Sequence, residues 1–449
     1  MLPSTICPCT SVRRTCRRIV SANNDKNQDV ENAANTVVNP HLSIDGGKLA
    51  SLAKTIAASP PAAIEWDTEG WHYTAEDYLY PEEERLERVA MYVLALDAIN
   101  FCFWPSPDGS DKQNSLEYEH LAVALRKLAE QDEIVSSDNT DADTAHGNNV
   151  DSEQQDQHGQ HTPEESKQPK GYFFSPSRLA VITPQEMEAA LKPHLQGHVI
   201  PNMEERCRLW NERGAGLITS YNGSVAKLLQ ACDSSAPKLV WLLLKEFPGF
   251  RDETIWTPPP KENSLVQTDN NGKTKSTTTT QKQNAMFVSF YKRAQICVGD
   301  LNAALELHLQ HMDHLTTFAD YRVPQVLRHW GVLQYGPVLT AKVDCRIEVD
   351  RDEETSIRAA TVVAVDELVR MIHRNDKNDP TGVDENDDGN IMTNDHGDDP
   401  ASTDTSYGQN KTRQVMNAVV MDWHLWQVGE RMCQKGEMKP HHRSRTIFY

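Results

Sequence analysis

The strongest constraint on how this 449-residue chain folds is that three long segments contain almost no apolar side chains. They cover residues 131–170, 258–285 and 375–412, and polar residues dominate each of them. Such segments cannot bury enough apolar surface to offset the conformational entropy that ordering would cost. We therefore predict that they are disordered insertions, and that residues 1–40 are a disordered N-terminus. The remainder, roughly 300 residues, is enough for one domain over 41–449 with a sizeable core.

The net charge of −20 is concentrated in two of these segments. Residues 131–170 hold ten acidic residues and two lysines, and residues 375–410 hold ten acidic residues and one lysine. The rest of the chain is therefore close to neutral. Proteins that bind the nucleic-acid backbone need clustered Lys and Arg, so we expect no direct nucleic-acid polymer as a partner. The longest apolar run, residues 239–244, is far shorter than the ~18 residues of a membrane span, so no membrane partner is expected.

The cysteines and the N-terminus bear on the compartment. The nine cysteines are scattered and form no C-x-x-C pair, which indicates reduced thiols and a cytoplasmic protein. The first 24 residues contain four arginines and no acid, a composition that is also found in mitochondrial presequences. Between the two readings, we favour a disordered basic N-terminus of a cytoplasmic protein. The sequence indicates no oligomeric state.

Apolar residues recur with helical spacing in several places, namely residues 86–94, 121–129 and 357–372. Residues 238–247 are apolar nearly all round, and they follow Pro237 and precede Pro248 and Gly249. This pattern predicts a buried helix with a proline start and a proline-glycine stop. Alternating strand patterns are essentially absent. The fold class predicted is mainly α, in a single helical domain interrupted by acidic insertions.

Two patterns resemble metal sites, but we predict no metal. Residues 384–395 match much of an EF-hand loop, yet Asp395 stands where Glu is usual, and Pro380 and Gly382 would break the entering helix. A solvated acidic insertion explains them better. His308, His311 and His314 have helical spacing, and Asp313 is the only carboxylate at a ligand-like offset from them in the sequence. We interpret them as an exposed polar helix face.

Four other segments differ in kind, because all four contain aromatic residues and all but the second combine them with single carboxylates, namely Asp97, Asp320 and Asp422. They read INFCFW at 99–104, FYKRAQ at 290–295, FADYRVPQ at 318–325, and MDWHLWQ at 421–427 with HHRSRTIFY at 441–449. Asp97, just before the first segment, lies on the inward face of the predicted helix, where a carboxylate must be paired or functional. Aromatic rings with single carboxylates suit a flat, polar, cationic ligand.

These segments, in this order, resemble the queuosine salvage protein family, the queuosine 5′-phosphate N-glycosylase/hydrolases. The resemblance covers roughly residues 60–130, 170–257, 286–374 and 412–449. It implies a mainly helical fold with some likeness to DNA glycosylases. The implied activity is hydrolysis of the N-glycosidic bond of queuosine 5′-monophosphate, and possibly of queuosine, which releases queuine for salvage into tRNA modification. The implied partner is this small-molecule substrate, and neither a metal nor an organic cofactor is implied.

The resemblance also implies roles for individual residues. Asp320 corresponds to the family's central, catalytic aspartate, and Phe318 to an aromatic residue beside the base. Asp422 and Trp423 correspond to an acidic and aromatic pair that contacts the base. His72 corresponds to a histidine that contacts the substrate. Where the family's fourth segment has a second acid, this chain has Gln427.

The chemistry of the reaction fits these roles, but two other functions stay open. Departure of the base leaves positive charge on the ribose, which Asp320 would stabilise. Lys292, Arg293, Arg322 and Arg443 are all candidates for binding the phosphate. The first alternative is a non-catalytic protein that binds queuine or a nucleoside, which would need no carboxylate at C1′. The second is a glycosylase that acts on polymeric nucleic acid, which would need a basic groove.

Overall fold

The computed structural model describes residues 7–21, 35–39, 42–61, 66, 70–75, 80–104, 116–142, 171–258, 261–268, 274–281, 284–375 and 416–449. Within these ranges the fold is mainly α, as predicted. The likeness to DNA glycosylases stays a prediction. The predictions for 143–170 and 376–412, including the EF-hand-like residues 384–395, fall outside the described residues.

The helices of the described ranges are numbered here in chain order. They are α1 (Pro8–Ser21), α2 (Gly46–Ala58), α3 (Glu82–Ala98), α4 (Tyr118–Ala142), α5 (Pro176–Leu179), α6 (Pro184–Leu191), α7 (Met203–Tyr221), α8 (Val225–Ala231), α9 (Ala236–Glu246), α10 (Lys292–Ala304), α11 (Arg322–His329), α12 (Pro337–Asp344), α13 (Arg351–Asn375) and α14 (Ala418–Gln434). None of the helices in the described part of the chain is both long and apolar enough to cross a membrane.

The strands form three small antiparallel sheets in the described residues. They are β1 (Asn35–Asn39), β2 (Leu42–Asp45), β3 (Glu253–Trp256), β4 (Lys261–Thr268), β5 (Thr274–Gln281), β6 (Met286–Ser289) and β7 (Leu333–Tyr335). β2 pairs with β1 on one side and β7 on the other, β3 pairs with β6, and β4 pairs with β5. The β3–β6 ladder brings Glu253 opposite Ser289, which sets the start of α10 beside the end of α9 and its following turn.

The helices predicted from periodicity are confirmed as α3, α4 and α13, and the buried helix at 238–247 is confirmed as α9. Buried apolar side chains from these helices join one connected core. α13 packs against α1, α2, α11 and α14, while α10 packs against α3 and α9. The site described below is lined by residues of α4, α10 and α14, and by residues that follow α3 or precede α11.

The predicted disorder of residues 1–40 was wrong for the part that the structure describes. α1 buries Cys9, Val12, Cys16 and Ile19 against α13, α9 and β6. These residues recur at three- and four-residue intervals, so they share one helix face. The arginines Arg14, Arg17 and Arg18 lie on the exposed face, which is why composition alone resembled a solvated basic segment.

Three further predictions were also wrong in part. α4 continues to Ala142, so the first twelve residues of the 131–170 segment are helical. Much of 258–285 forms the β4–β5 hairpin, in which the threonine run at 277–280 pairs with β4, consistent with the strand preference of β-branched residues. The histidines at 308, 311 and 314 do not share a helix, because α10 ends at Ala304 and both His308 and His311 have positive φ angles.

Candidate active site

The FYKRAQ segment builds one side of the site. Tyr291 has a φ of 53° and precedes the first residue of α10. Gln295, one turn into the helix, donates to Oγ1 of Thr316 at 2.9 Å and accepts from the Thr316 backbone N–H at 2.8 Å. Arg293 is buried and donates to the backbone carbonyls of Ala98 and Gly249. The segment therefore anchors both the end of α3 and the chain that leads to Asp320.

Asp320 sits on backbone that is held from both sides. Ala319 before it has a φ of 46°, in the left-handed region that costs a non-glycine residue energy. Nε of Arg358 donates to the Ala319 carbonyl at 3.2 Å, and the Tyr449 hydroxyl donates to the Asp320 carbonyl at 3.1 Å. These two hydrogen bonds compensate for the strained conformation and fix where the Asp320 side chain begins.

The Asp320 carboxylate is oriented by the start of α11. Its Oδ1 accepts hydrogen bonds from the backbone N–H groups of Arg322 and Val323, both at 2.9 Å. These donors are among the N–H groups that a helix start leaves without partners. No hydrogen bond among the described residues reaches Oδ2, and the residue lines a pocket. One carboxylate oxygen is therefore fixed, and the other is available to a ligand.

Asp422 faces the same pocket from the first turns of α14. Its Oδ1 accepts from the Thr317 hydroxyl and, at 2.8 Å, from the backbone N–H of Phe318. Burial and the nearby charge of Asp320 raise the pKa of Asp422 to about 7. The Asp422 side chain thus ties α14 to the segment that carries both Phe318 and Asp320.

Aromatic rings form most of the remaining wall of the pocket. The His72 ring stacks on Trp66 with a centroid distance of 4.3 Å, and its Nε2 lies 2.9 Å from the Tyr118 hydroxyl. Tyr118 meets Trp426 edge to face at 5.6 Å. The described residues that line the pocket are Trp66, Trp71, His72, Asn100, Tyr118, Lys292, Ile296, Asp300, Phe318, Asp320, Tyr321, Asp422, Trp423, Trp426 and Gln427.

Carboxyl groups outnumber basic groups among the described residues that line this pocket. Three aspartates, Asp300, Asp320 and Asp422, line it, and Lys292 is the only lysine or arginine among the described residues that do so. Burial lowers the pKa of Lys292 to about 8, although the neighbouring charge of Asp320 opposes that shift. Asp97 lies behind the pocket wall, fully buried beside Asn100 and Cys297, and burial raises its pKa to about 8. Such a site favours cationic and hydrogen-bond-donating ligands.

The five residues that the sequence singled out, His72, Phe318, Asp320, Asp422 and Trp423, all line this one pocket. The structure separates them from three of the four cations suggested for phosphate binding. Arg293 and Arg322 are buried in contacts with carbonyls and with Glu430, and Arg443 does not line the pocket. Lys292 remains, and Gln427 also faces the pocket.

Sequence reasoning missed several lining residues. Trp66, Trp71 and Tyr118 come from segments without a recognisable motif, and only the tertiary fold brings them beside α14. Asp300 could have been singled out from the sequence, because it is a carboxylate in a helix whose other residues are mostly apolar. A carboxylate there is either paired or functional.

One of the patterns set aside as a metal site does form a cluster. Ligand atoms of His311, Asp313 and His314 lie within 4.8 Å of one another, and His308 is not part of the group. His311 and Asp313 are exposed. Surface groups of this kind are common without a bound ion, so the cluster by itself assigns no function.

The chain is similar to known proteins over most of its length. The family model described as queuosine salvage protein matches residues 79–168, 164–260 and 276–449. A protein of Dictyostelium discoideum named queuosine 5′-phosphate N-glycosylase/hydrolase is 29% identical over 390 residues, 86% of this chain and 85% of that one. Proteins of the same name from Sphaerobacter thermophilus and Mus musculus are each 28% identical, over 415 and 261 residues. The alignment with the Sphaerobacter thermophilus protein covers 90% of this chain and 92% of that protein. The alignment with the Mus musculus protein covers 56% of this chain and 59% of that protein. The chain therefore belongs to the queuosine salvage protein family.

Proposed function

We propose that this protein hydrolyses the N-glycosidic bond of queuosine 5′-monophosphate and releases queuine and ribose 5-phosphate. The observation that carries the proposal is the pocket itself, in which Asp320, with one carboxylate oxygen held by backbone N–H groups, lines the same cavity as the aromatic residues Phe318 and Trp423. The relatives that bear the corresponding name, matched over most of their length, support the same reaction.

The pocket suits queuine as the base. Queuine has a flat 7-deazaguanine ring and a secondary amine that is protonated at neutral pH. Phe318 and Trp423 supply aromatic faces for the ring, and Asp422 is an acceptor for its N–H groups or for the amine. His72, held by Tyr118, completes the wall. Where the family has a second acid, Gln427 retains a hydrogen-bonding role but adds no negative charge.

Asp320 has the position required to stabilise the transition state. As the base departs from C1′, positive charge develops on the ribose, and a fixed carboxylate nearby lowers the energy of that charge. The same carboxylate can accept a proton from the attacking water. Because Oδ1 is already held by two backbone N–H groups, Oδ2 is the oxygen proposed to face C1′ and the water.

Lys292 is the residue we propose for the 5′-phosphate. Within the described part of the chain it is the only lysine or arginine that lines the pocket, and its Nζ donates to the Asn100 carbonyl at 3.4 Å. The charge of Asp320 acts to raise the pKa of Lys292, so in this proposal Lys292 lies on the ribose side of the site. A bound phosphate would favour the protonated form of Lys292. We also propose that the protein acts in the cytoplasm, as its scattered unpaired cysteines predict.

The test is incubation of the purified protein with queuosine 5′-monophosphate, followed by liquid chromatography for queuine and ribose 5-phosphate. Equal amounts of both products are expected. A parallel reaction with a queuosine-containing anticodon oligonucleotide should release no queuine. Binding of the nucleotide without product would indicate a binding protein, and release from the oligonucleotide would indicate a glycosylase that acts on polymers.

A further inference from the structure

Asp300 is a pocket carboxyl for which the mechanism above has no use. It lies on α10, about two turns beyond Lys292, and only 6% of its surface is exposed. It lines the pocket, and none of the hydrogen bonds or ion pairs found among the described residues involves its side chain. A polar group that is nine-tenths buried, without a partner and directed at a ligand site is a functional candidate.

The groups around Asp300 are acids. Asp97 faces it from α3, Asp422 from α14, Tyr118 from α4, and Cys297 from its own helix. Burial is the largest influence, and the charges of Asp97 and Asp422 add to it, so the pKa of Asp300 lies well above its usual range. Asp300 therefore keeps its proton at neutral pH and can donate it.

The departing base needs such a donor. Purine glycosidic bonds can be weakened by protonation at N7, but a 7-deazaguanine has carbon at that position. When the C1′–N9 bond breaks, its electron pair stays with the base, and N9 must gain a proton before neutral queuine is formed. The carboxylate proposed to act at C1′ cannot provide this proton, because it accepts one from water.

We propose that Asp300 is the general acid of the reaction and donates its proton to the base as C1′–N9 breaks. Water forms the new bond to C1′, and its proton passes to Asp320. The sum is queuosine 5′-monophosphate plus water giving queuine plus ribose 5-phosphate, after which proton exchange with solvent restores both carboxyls. This inference rests on the proposed function, and it assigns opposite roles to two aspartates whose environments differ.

The test compares Asp300→Asn with wild type on two substrates. One is queuosine 5′-monophosphate, and the other is 4-nitrophenyl β-ribofuranoside 5-phosphate, whose leaving group departs as a stable anion and needs no proton. Loss of a general acid should slow single-turnover release of queuine by at least ~10²-fold. Release of nitrophenolate should change by less than about threefold, whereas Asp320→Asn should slow both reactions by a similar factor. Asp366→Asn, a buried aspartate outside the pocket, controls for general destabilisation and should leave both rates unchanged.

Equal losses on both substrates would overturn the proposal and make Asp300 a structural or base-binding residue. The pH profile gives a second readout, which applies even if wild type does not cleave the nitrophenyl compound. At saturating nucleotide, where deprotonation of Lys292 no longer acts through weaker phosphate binding, wild type should lose activity at alkaline pH as Asp300 ionises, and this limb should be absent from the residual activity of Asp300→Asn. An unchanged alkaline limb would also overturn the assignment. A wild-type protein that releases no queuine would instead refute the proposed function.

Discussion

The hydroxyl of Tyr449 donates a hydrogen bond of 3.1 Å to the backbone carbonyl of Asp320. The Tyr449 ring is fully buried against Trp104 and Tyr321, and its backbone carbonyl accepts from the Cys102 N–H at 2.7 Å. The HHRSRTIFY segment thus joins the INFCFW segment to the central aspartate. The INFCFW and HHRSRTIFY segments, which are far apart in the sequence, thus pack together and position the backbone of Asp320.

Tyr449→Phe removes this hydrogen bond and keeps the ring. We expect the free energy of unfolding to fall by about 1–2 kcal/mol, because a buried acceptor loses its donor. Queuine release should slow several-fold while queuine affinity stays the same, since the lost hydroxyl contacts the backbone of Asp320 and the ring of His442, which is not among the described residues that line the pocket. Urea titration and single-turnover assays measure the two effects. Tyr221→Phe, a partly exposed tyrosine on α7, should change neither quantity, and a Tyr449→Phe protein with the wild-type rate would disprove this support role.

Asp422→Asn tests base recognition with little damage to the fold. The amide oxygen of Asn can still accept from Thr317 and Phe318, whereas the group that faces the pocket changes from an acceptor to a donor. We expect queuine affinity to fall by ~1.5–3 kcal/mol, the range for a hydrogen bond to a charged group. Isothermal titration calorimetry with free queuine measures it. Unchanged affinity would mean that the base contacts other residues.

Ile19→Ala tests whether the N-terminal helix belongs to the core. Ile19 is fully buried on α1, so its truncation should leave a cavity and cost about 2–5 kcal/mol of unfolding free energy. Arg17→Ala, on the exposed face of the same helix, should cost less than about 0.5 kcal/mol. Chemical denaturation of both variants gives the comparison. Similar stabilities for the two variants would mean that α1 does not pack against the core and is a solvated segment, as the composition first predicted.

Asp97 gives a prediction about pH. Its pKa rises from 3.8 to about 8 in the folded protein, chiefly through burial. Folding therefore favours the protonated carboxyl, and the stability that it contributes is lost as pH rises from about 4 towards 8. The lowered pKa of Lys292 has the opposite effect, but only above pH 8. In this window Asp97→Asn should gain stability relative to wild type by up to about 1.4 kcal/mol per pH unit. Urea titrations at pH 5, 6, 7 and 8 measure the difference, and a constant difference would contradict the raised pKa.

Part of this structure was predictable from the sequence. The amphipathic spacing that marks α3, α4 and α13 reports a local property, because one helix face must be apolar wherever a helix lies against a core. The segments around Asp320 and Asp422 could be recognised through the family's motifs, and the fold brings both residues to one pocket. For α1, the apolar residues already had helical spacing in the sequence. The prediction of disorder was made from composition, in which the arginines dominate, and it did not take that spacing into account.

The rest depended on contacts between distant segments. FYKRAQ suggested two cations for a phosphate, yet Arg293 donates to backbone carbonyls of Ala98 and Gly249, while Lys292 faces the pocket. Adjacent positions on a helix point in different directions, and only the packing of α10 against α3 determines which one meets the ligand. The acidic groups around Asp300 likewise come from three other helices. The protonation state of Asp300 therefore cannot be predicted from the local sequence.

The most direct measurement of the central claim is single-turnover release of queuine by Asp320→Asn, made on the same preparation as thermal melting and nucleotide binding. The Asn amide oxygen can still accept from the Arg322 and Val323 N–H groups, so the melting temperature should stay within about 4 °C. Binding of queuosine 5′-monophosphate should stay within about tenfold, or ~1.4 kcal/mol. The rate should fall at least ~10²-fold, because charge that develops only in the transition state loses its carboxylate. A well-folded Asp320→Asn protein that keeps most of the wild-type rate would remove Asp320 from the mechanism.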